Sequence, residues 1–335
     1  MELAKIGSAL TLGCMLAAML VGSAGAEVDK VRIGVQPGLT HLPWAVIEHE
    51  RLIERRAKES GLGEIKVEWF HFAGGAALND GMLSGGLDFA ETGPPSLIIL
   101  WAKTRGGYKG LGASGASPMV LVTRNPAVHS IKDLTEKNRI ALPAVKTSTQ
   151  AIVLAMAAEK TFGIGNHAKF DALTITRSHP DAMAALLDTR SEIDSHFSLP
   201  PYLYKELETP GVHAVLTAED VLGAPLSNGI LFASQSFHDT NPKIVGATIA
   251  ALDDALAFIK RDPRSAAKIY LEVSGEKSTA DAIAALITKP GNSYDRTPRG
   301  MLLAAQFMHR IGLINAEPTT WKDLFFEEAH DLAGN

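Results

Sequence analysis

The chain has 335 residues, of which 46% are hydrophobic and 21% charged, with a formal net charge of -5 and a single cysteine. That length accommodates two domains of usual size, and the composition excludes a disordered or collagen-like chain. The absence of a basic block argues against a nucleic-acid partner, and the lone Cys14 excludes an internal disulfide framework or a cysteine-rich metal site.

Residues 1–26 carry Lys5, an apolar run from Ile6 to Val21 and the small-residue end Ser23-Ala24-Gly25-Ala26. This is the pattern of a secretory signal cut between Ala26 and Glu27. The run is shorter than the about 20 apolar residues that a spanning helix needs, and Thr11-Leu12-Gly13 before Cys14 makes a poor lipobox. Cleavage removes one Glu and one Lys, so the expected mature protein is exported, soluble, free of cysteine and still at -5.

Val31 to Val35 (V-R-I-G-V) reads as a buried strand ended by Gln36-Pro37-Gly38. A single helix is predicted from Thr40 or His41 to about Lys58, stopped by Gly61 and Gly63. Ile65 to Phe72 is the second strand; Gly74-Gly75 turns into a helix over Ala76 to Ser84, and Gly85-Gly86 returns to a strand at Leu87. Strand and helix alternating through short connections predict a parallel α/β sheet. The glycine pair fits a bare tight turn, or a turn that lets a ligand approach the amides of a helix N-terminus.

A phrase then occurs that is used twice: Asp88 to Pro95 reads D-F-A-E-T-G-P-P, and Asp194 to Pro201 reads D-S-H-F-S-L-P-P. Both have Asp, three residues, Thr or Ser, one residue and Pro-Pro, and each follows an Ala/Leu-rich helical run. Ligands bind at the carboxyl ends of strands in open parallel sheets. The repeat therefore predicts two similar α/β lobes that each present one such end to a shared cleft. Asp88 and Asp194 are assigned to turns and helix ends, and the differing residues Glu91-Thr92-Gly93 and Phe197-Ser198-Leu199 to the choice of solute.

Ser96 to Ala102 is helical, and the glycines from Gly106 to Gly115 lack the spacing of a dinucleotide loop. Met119 to Thr123 and Gly229 to Ala233 are strands expected to form a two-strand hinge. Between them a second α/β series runs through Arg139–Leu142, the helix Gln150–Phe162, Leu173–Thr176, the helix Asp181–Leu187 and Val212–Leu216. Lys146-Thr147-Ser148-Thr149 precedes the first of these helices; it fits an anion cradle as well as a plain capping cluster. From Asn241 onward the chain is helical, with Trp321, Leu324, Phe325 and Phe326 packing a last turn onto lobe one. No H-E-x-x-H, Walker A or G-x-S-x-G motif occurs, and the 11 histidines are scattered. No metal, cofactor or catalysis is expected.

With these residues the chain resembles the periplasmic substrate-binding proteins of ABC importers, in the nitrate/sulfonate/taurine group with its thiamine-precursor-binding relatives. The likeness lies in V-R-I-G-V, Glu50 to Glu54, Gly74-Gly75-Ala76-Ala77-Leu78, Leu83 to Ala90, Ser130 to Leu134, Thr147-Ser148-Thr149, Gly312-Leu313-Ile314 and Trp321 to Leu324. It implies a type II periplasmic binding protein fold: two α/β lobes joined by two crossing strands, a helical C-terminal tail and closure on a solute. Lobe one is expected at 27–121 plus 231–335 and lobe two at 122–230. The resemblance further implies a monomer in the periplasm, a small-molecule solute, and permease and ATPase partners. Carried over by position, the pocket draws on Gln36, His41, Gly74, Gly75, Glu91, Thr92 and Gly93 from lobe one. From lobe two it draws on Lys146, Thr147, Ser148, Thr149, His179, His196, Phe197 and Ser198. Arg51 stands where the group often has Gly. Glu91 in an anion cleft repels the solute unless Lys146, His41 or a ligand amine pairs with it. The expected solute is a small organic anion or zwitterion, a taurine-like sulfonate ahead of nitrate, with aromatic sulfonates and thiamine-precursor pyrimidines left open. A sensing subunit for a membrane kinase and an exported enzyme of the thiamine-pyrimidine kind are the alternatives.

Overall fold

Two five-stranded sheets organise the chain in a computed structural model that describes residues 27–335. The signal read from residues 1–26 lies outside the described residues. The strands are β1 (Lys30–Val35), β2 (Lys66–His71), β3 (Phe89–Thr92), β4 (Tyr108–Ala116), β5 (Val120–Thr123), β6 (Ile140–Leu142), β7 (Thr174–Thr176), β8 (Ser195–Ser198), β9 (His213–Thr217) and β10 (Ser227–Ser234). The first sheet runs β2-β1-β3-β10-β4 and the second β7-β6-β8-β5-β9. In each, three parallel strands meet one antiparallel neighbour, β10 against β3 and β5 against β8. The sheets follow one plan, with β1, β2 and β3 answering to β6, β7 and β8.

The repeated phrase locks this plan. Asp88 accepts the N–H of Arg32 at 2.8 Å and its guanidinium at 2.7 Å. Asp194 accepts the N–H of Arg139 at 3.1 Å and the side-chain amide of Asn138 at 2.7 Å. Each aspartate ties the start of a central strand to its parallel neighbour, in the registers Ile33↔Phe89 and Ile140↔Ser195. The assignment of these aspartates to turns and helix ends is thus corrected: they hold strand register. A slip of one residue would turn every buried side chain of the strand to the opposite face.

Helices cover both faces of the first sheet. They are α1 (Leu42–Glu50), α2 (Leu52–Glu59), α3 (Gly75–Leu83) and α4 (Pro94–Thr104), followed in lobe two by α5 (Thr149–Phe162), α6 (His179–Leu187), α7 (Tyr202–Leu207) and α8 (Ala218–Leu222). The tail adds α9 (Gln235–Thr240), α10 (Pro242–Arg261), α11 (Pro263–Ser274), α12 (Ala280–Ile287) and α13 (Met301–Arg310). Ile33, Trp44, Ile47, Ala251 and Ala267 share one core cluster; Leu78, Leu97, Ala305, Leu324 and Phe325 share another. The terminal aromatics therefore pack onto lobe one.

Two expectations shift. β5 lies wholly in the second sheet and β10 wholly in the first. The chain therefore crosses at residues 117–119 and 223–226, ahead of the expected breaks at 121/122 and 230/231, and Met119–Thr123 does not pair with Gly229–Ala233. The helix predicted to run unbroken from His41 to Lys58 is two helices, parted at Arg51, whose φ of 51° and ψ of 46° are left-handed. A side chain costs about 1–2 kcal/mol in that conformation, which accounts for the glycine that the resemblance places there.

The lobes touch. Leu39 N–H donates to the Pro200 carbonyl at 3.2 Å, Lys289 lies over the Tyr204 ring at 3.9 Å, and the pairs Lys205–Glu276 and Arg310–Glu159 span the gap. Burial alone would raise the Glu159 carboxyl, but Arg310 and the Gly165 N–H outweigh it and hold it below its ordinary value.

Two outcomes are expected. Arg51→Gly leaves stability unchanged or raises it by up to about 1 kcal/mol in denaturant unfolding, whereas glycine within a helix ordinarily costs about that much. Because Glu159 is depressed when folded and paired, its contribution is present above the usual carboxylate range and is lost as pH falls through the lowered value. Small-angle scattering from pH 7 to 3 should show the protein expanding at the acid end, with Arg310→Ala expanding already at pH 7.

Candidate binding cleft

The carboxyl ends of the parallel strands in the two lobes face one another. The residues that follow them enclose a cavity of about 30 Å³, room for about two or three waters. Lobe one contributes Gln36 after β1, Gly75, and Thr92 and Gly93 at the end of β3; lobe two contributes Pro143 after β6, Thr147 to Gln150, His179, and Leu199 after β8.

Five helices begin here. α1 follows its cap His41, α3 follows Gly74, α4 follows Gly93, α5 follows Ser148 and α6 follows Ser178. Each helix start carries the equivalent of about half a positive charge on its free N–H groups. The cavity therefore favours an anion, although no Lys or Arg lines it. α4 opens on Pro94-Pro95, so its first turn adds field but few N–H donors. Ser148 caps α5, its hydroxyl accepting the Ala151 N–H at 3.2 Å.

Glu91 does not face the cavity. Its side chain has 0% exposure and lies behind His41, whose Nδ1 is 2.5 Å from one carboxylate oxygen; the Ser114 hydroxyl donates to the other, also at 2.5 Å. Of the three partners considered for Glu91, His41 is the one present. The contact through Nδ1 leaves His41 Nε2 without a partner among the described residues. Gly229 of β10 covers the pair: a Cβ there would stand 1.9 Å from Glu91 Oε1, so this position requires glycine.

A second chain of polar groups lies across the cleft. The Gln150 amide nitrogen is 3.2 Å from His179 Nε2, His179 Nδ1 is 2.9 Å from His196 Nε2, and His196 Nδ1 is 2.6 Å from Glu206 Oε1. With each Nδ1 carrying the hydrogen, every step has one donor and one acceptor. Burial, and then the neighbouring His196 and His41, push the His179 pKa well below its ordinary value, so its ring is neutral. Glu206 is fully buried and its other oxygen has no partner among the described residues.

Of the residues proposed from sequence, Gln36, His41, Gly75, Thr92, Gly93, Thr147, Ser148, Thr149 and His179 line the cavity. Gly74 caps α3 just outside it, against the Pro143 carbonyl of the other lobe. Glu91 and His196 stand behind the wall. Phe197 is a core residue of lobe two, and the Ser198 hydroxyl is buried without a partner among the described residues. Lys146 points away: its side chain is 63% exposed and pairs with Asp171 at 3.4 Å. Sequence reasoning missed Gln150, the second residue of its helix, and Asn228, whose amide donates to the Ser117 carbonyl at 3.2 Å. Neither carries a local signal.

No family model and no curated protein matches the chain. Solved structures do. An alkanesulfonate-binding protein SsuA from Xanthomonas axonopodis pv. citri, bound to MOPS, matches with a TM-score of 0.67 and 20% identity over 87% of this chain and 96% of that one. The periplasmic aliphatic sulphonate-binding protein SsuA from Escherichia coli gives 0.65 and 18% over 90% and 93%. The periplasmic nitrate-binding protein NrtA from Synechocystis PCC 6803 gives 0.57 and 15% over 76% and 68%. The fold is that of the periplasmic binding proteins.

Removing the carboxylate under His196 tests the buried chain. Glu206→Ala strands a buried N–H and should cost about 1–3 kcal/mol in urea unfolding beyond the loss of packing. Glu206→Gln, which still offers an acceptor, should cost clearly less.

Proposed function

We propose that the protein is an extracytoplasmic solute-binding subunit of an ABC importer. It captures the oxyanion head of a small organic anion or zwitterion, of the sulfonate class, between its lobes. The convergence of five helix starts on one small cavity carries this reading; the fold and the sulfonate- and nitrate-binding neighbours support it. The helix N-termini and the Thr149 hydroxyl supply donors; the Thr92 hydroxyl donates to Gln36 and that of Thr147 to the Val145 carbonyl, and His41 stands between Glu91 and the cavity. Contacts to both lobes bias the open and closed states toward closure, and a membrane permease with its ATPase then receives the closed form. The segment 1–26 directs export. No helix among the described residues is long and apolar enough to cross a membrane.

Binding without chemical change is supported by the state of His179. Both of its ring nitrogens are engaged within the protein, so accepting a proton from a solute at Nε2 would cost the hydrogen bond from Gln150.

Isothermal titration with methanesulfonate, benzenesulfonate, taurine, nitrate and a neutral thiamine-precursor pyrimidine tests the reading, with mass spectrometry of the recovered solute. Heat from at least one anion is expected, with the solute unchanged. Gly74→Ala should bind at least tenfold more weakly, because its Cβ would come within 2.9 Å of the Pro143 carbonyl oxygen and oppose closure. Heat from the neutral heterocycle alone overturns the proposal.

A further inference from the structure

Two glutamines line the cavity, one from each lobe, and each has one end of its amide already engaged. Gln36, after β1, accepts the Thr92 hydroxyl at its Oε1, so Nε2 is the end left for a solute. Gln150, the second residue of α5, gives its Nε2 to His179 at 3.2 Å, so Oε1 is the end left. Neither free end is among the polar atoms that the protein seals off without a partner. Lobe one thus offers a donor and lobe two an acceptor.

The orientation of Gln150 is set from behind the wall. Glu206 is fully buried, and an ionised carboxylate only accepts. With Nδ1–H turned to Glu206 at 2.6 Å, His196 shows a lone pair on Nε2 to His179. His179, kept neutral by burial, turns its Nδ1–H to His196 at 2.9 Å and a lone pair on Nε2 to Gln150. A rotated Gln150 would set its oxygen against that lone pair. Reversing the relay under a carboxylate takes one more proton, on His196, which has no exposed surface. Each step fixes the next, and the last holds an acceptor against the cavity. Among five helix starts this is the odd group, because an aprotic oxyanion would meet it oxygen to oxygen.

We propose that Gln150 selects the solute by its head: an oxyanion that bears an N–H or O–H donor, as in an N-sulfonate, binds well, and an aprotic sulfonate of the same shape binds poorly. Glu206, His196 and His179 are positioning residues that act through Gln150. This rests on the reading of the cleft as an oxyanion site and narrows the solute by the chemistry of its head.

Isothermal titration with sulfamate and methanesulfonate isolates the donor, because the two anions share charge and shape and differ in an amino against a methyl group. Sulfamate should bind the native protein at least tenfold more tightly, since methanesulfonate leaves a buried acceptor unpaired. Gln150→Leu should bring the two affinities together. Glu206→Gln still offers His196 an acceptor, yet its amide can also donate; the relay can then reverse, Gln150 can turn, and the preference for sulfamate should shrink with little change in urea unfolding. Equal affinities for the native protein, or a preference that survives in folded Gln150→Leu, overturn the assignment to Gln150 and leave the oxyanion site standing. A preference unchanged in Glu206→Gln overturns the role of the relay. The native comparison stands if neither variant folds, and binding of neither anion removes the oxyanion site itself.

Discussion

Two carboxylates without exposed surface, Glu91 and Glu206, lie directly behind the walls of the cleft, and each is held by one imidazole. Removing one partner from a buried hydrogen-bonded pair of this kind costs about 1–3 kcal/mol, because it leaves a polar group out of water without a partner. His41 and His196 therefore have little freedom. Much else follows from fixing them: His41 caps α1 and lines the cavity, and His196 orients His179. The glycine over Glu91 in β10 is required by the same constraint, which ties the returning strand to the floor of the cleft.

The closed arrangement rests on few contacts between the lobes, mostly at the rim. The Lys205–Glu276 and Arg310–Glu159 pairs each set a partly exposed cation against a carboxylate with little exposed surface, and a cation over a ring near the surface contributes about 0.5–1 kcal/mol. Such contacts guide the lobes into place without locking them, which suits the proposed function, where a bound solute decides between open and closed. A solute that touched one lobe alone would shift nothing.

The lobes, the order of most elements and the strand ends were legible in the sequence because hydrophobic period, glycine turns and the repeated phrase are local signals. Short α7 and α9 were missed, since six residues give too little period to read. The single helix over Arg51 failed because nothing local marks an arginine in a left-handed conformation. Lys146 looked suited to an anion by charge and neighbours, yet its own backbone, with φ of 65°, turns it to Asp171.

The paired aspartates have one more implication. Each sits at the beginning of a central strand and acts as a datum from which the wall is measured: the third residue on is buried behind it, and the fifth reaches its edge. In lobe one those places hold Glu91 and Gly93, and in lobe two Phe197 and Leu199. The same ruler thus carries a charged floor in one half and an apolar floor in the other. Side chains at these places can change while the distance from datum to edge stays constant, so the frame and the specificity of the cleft are separable parts of one molecule.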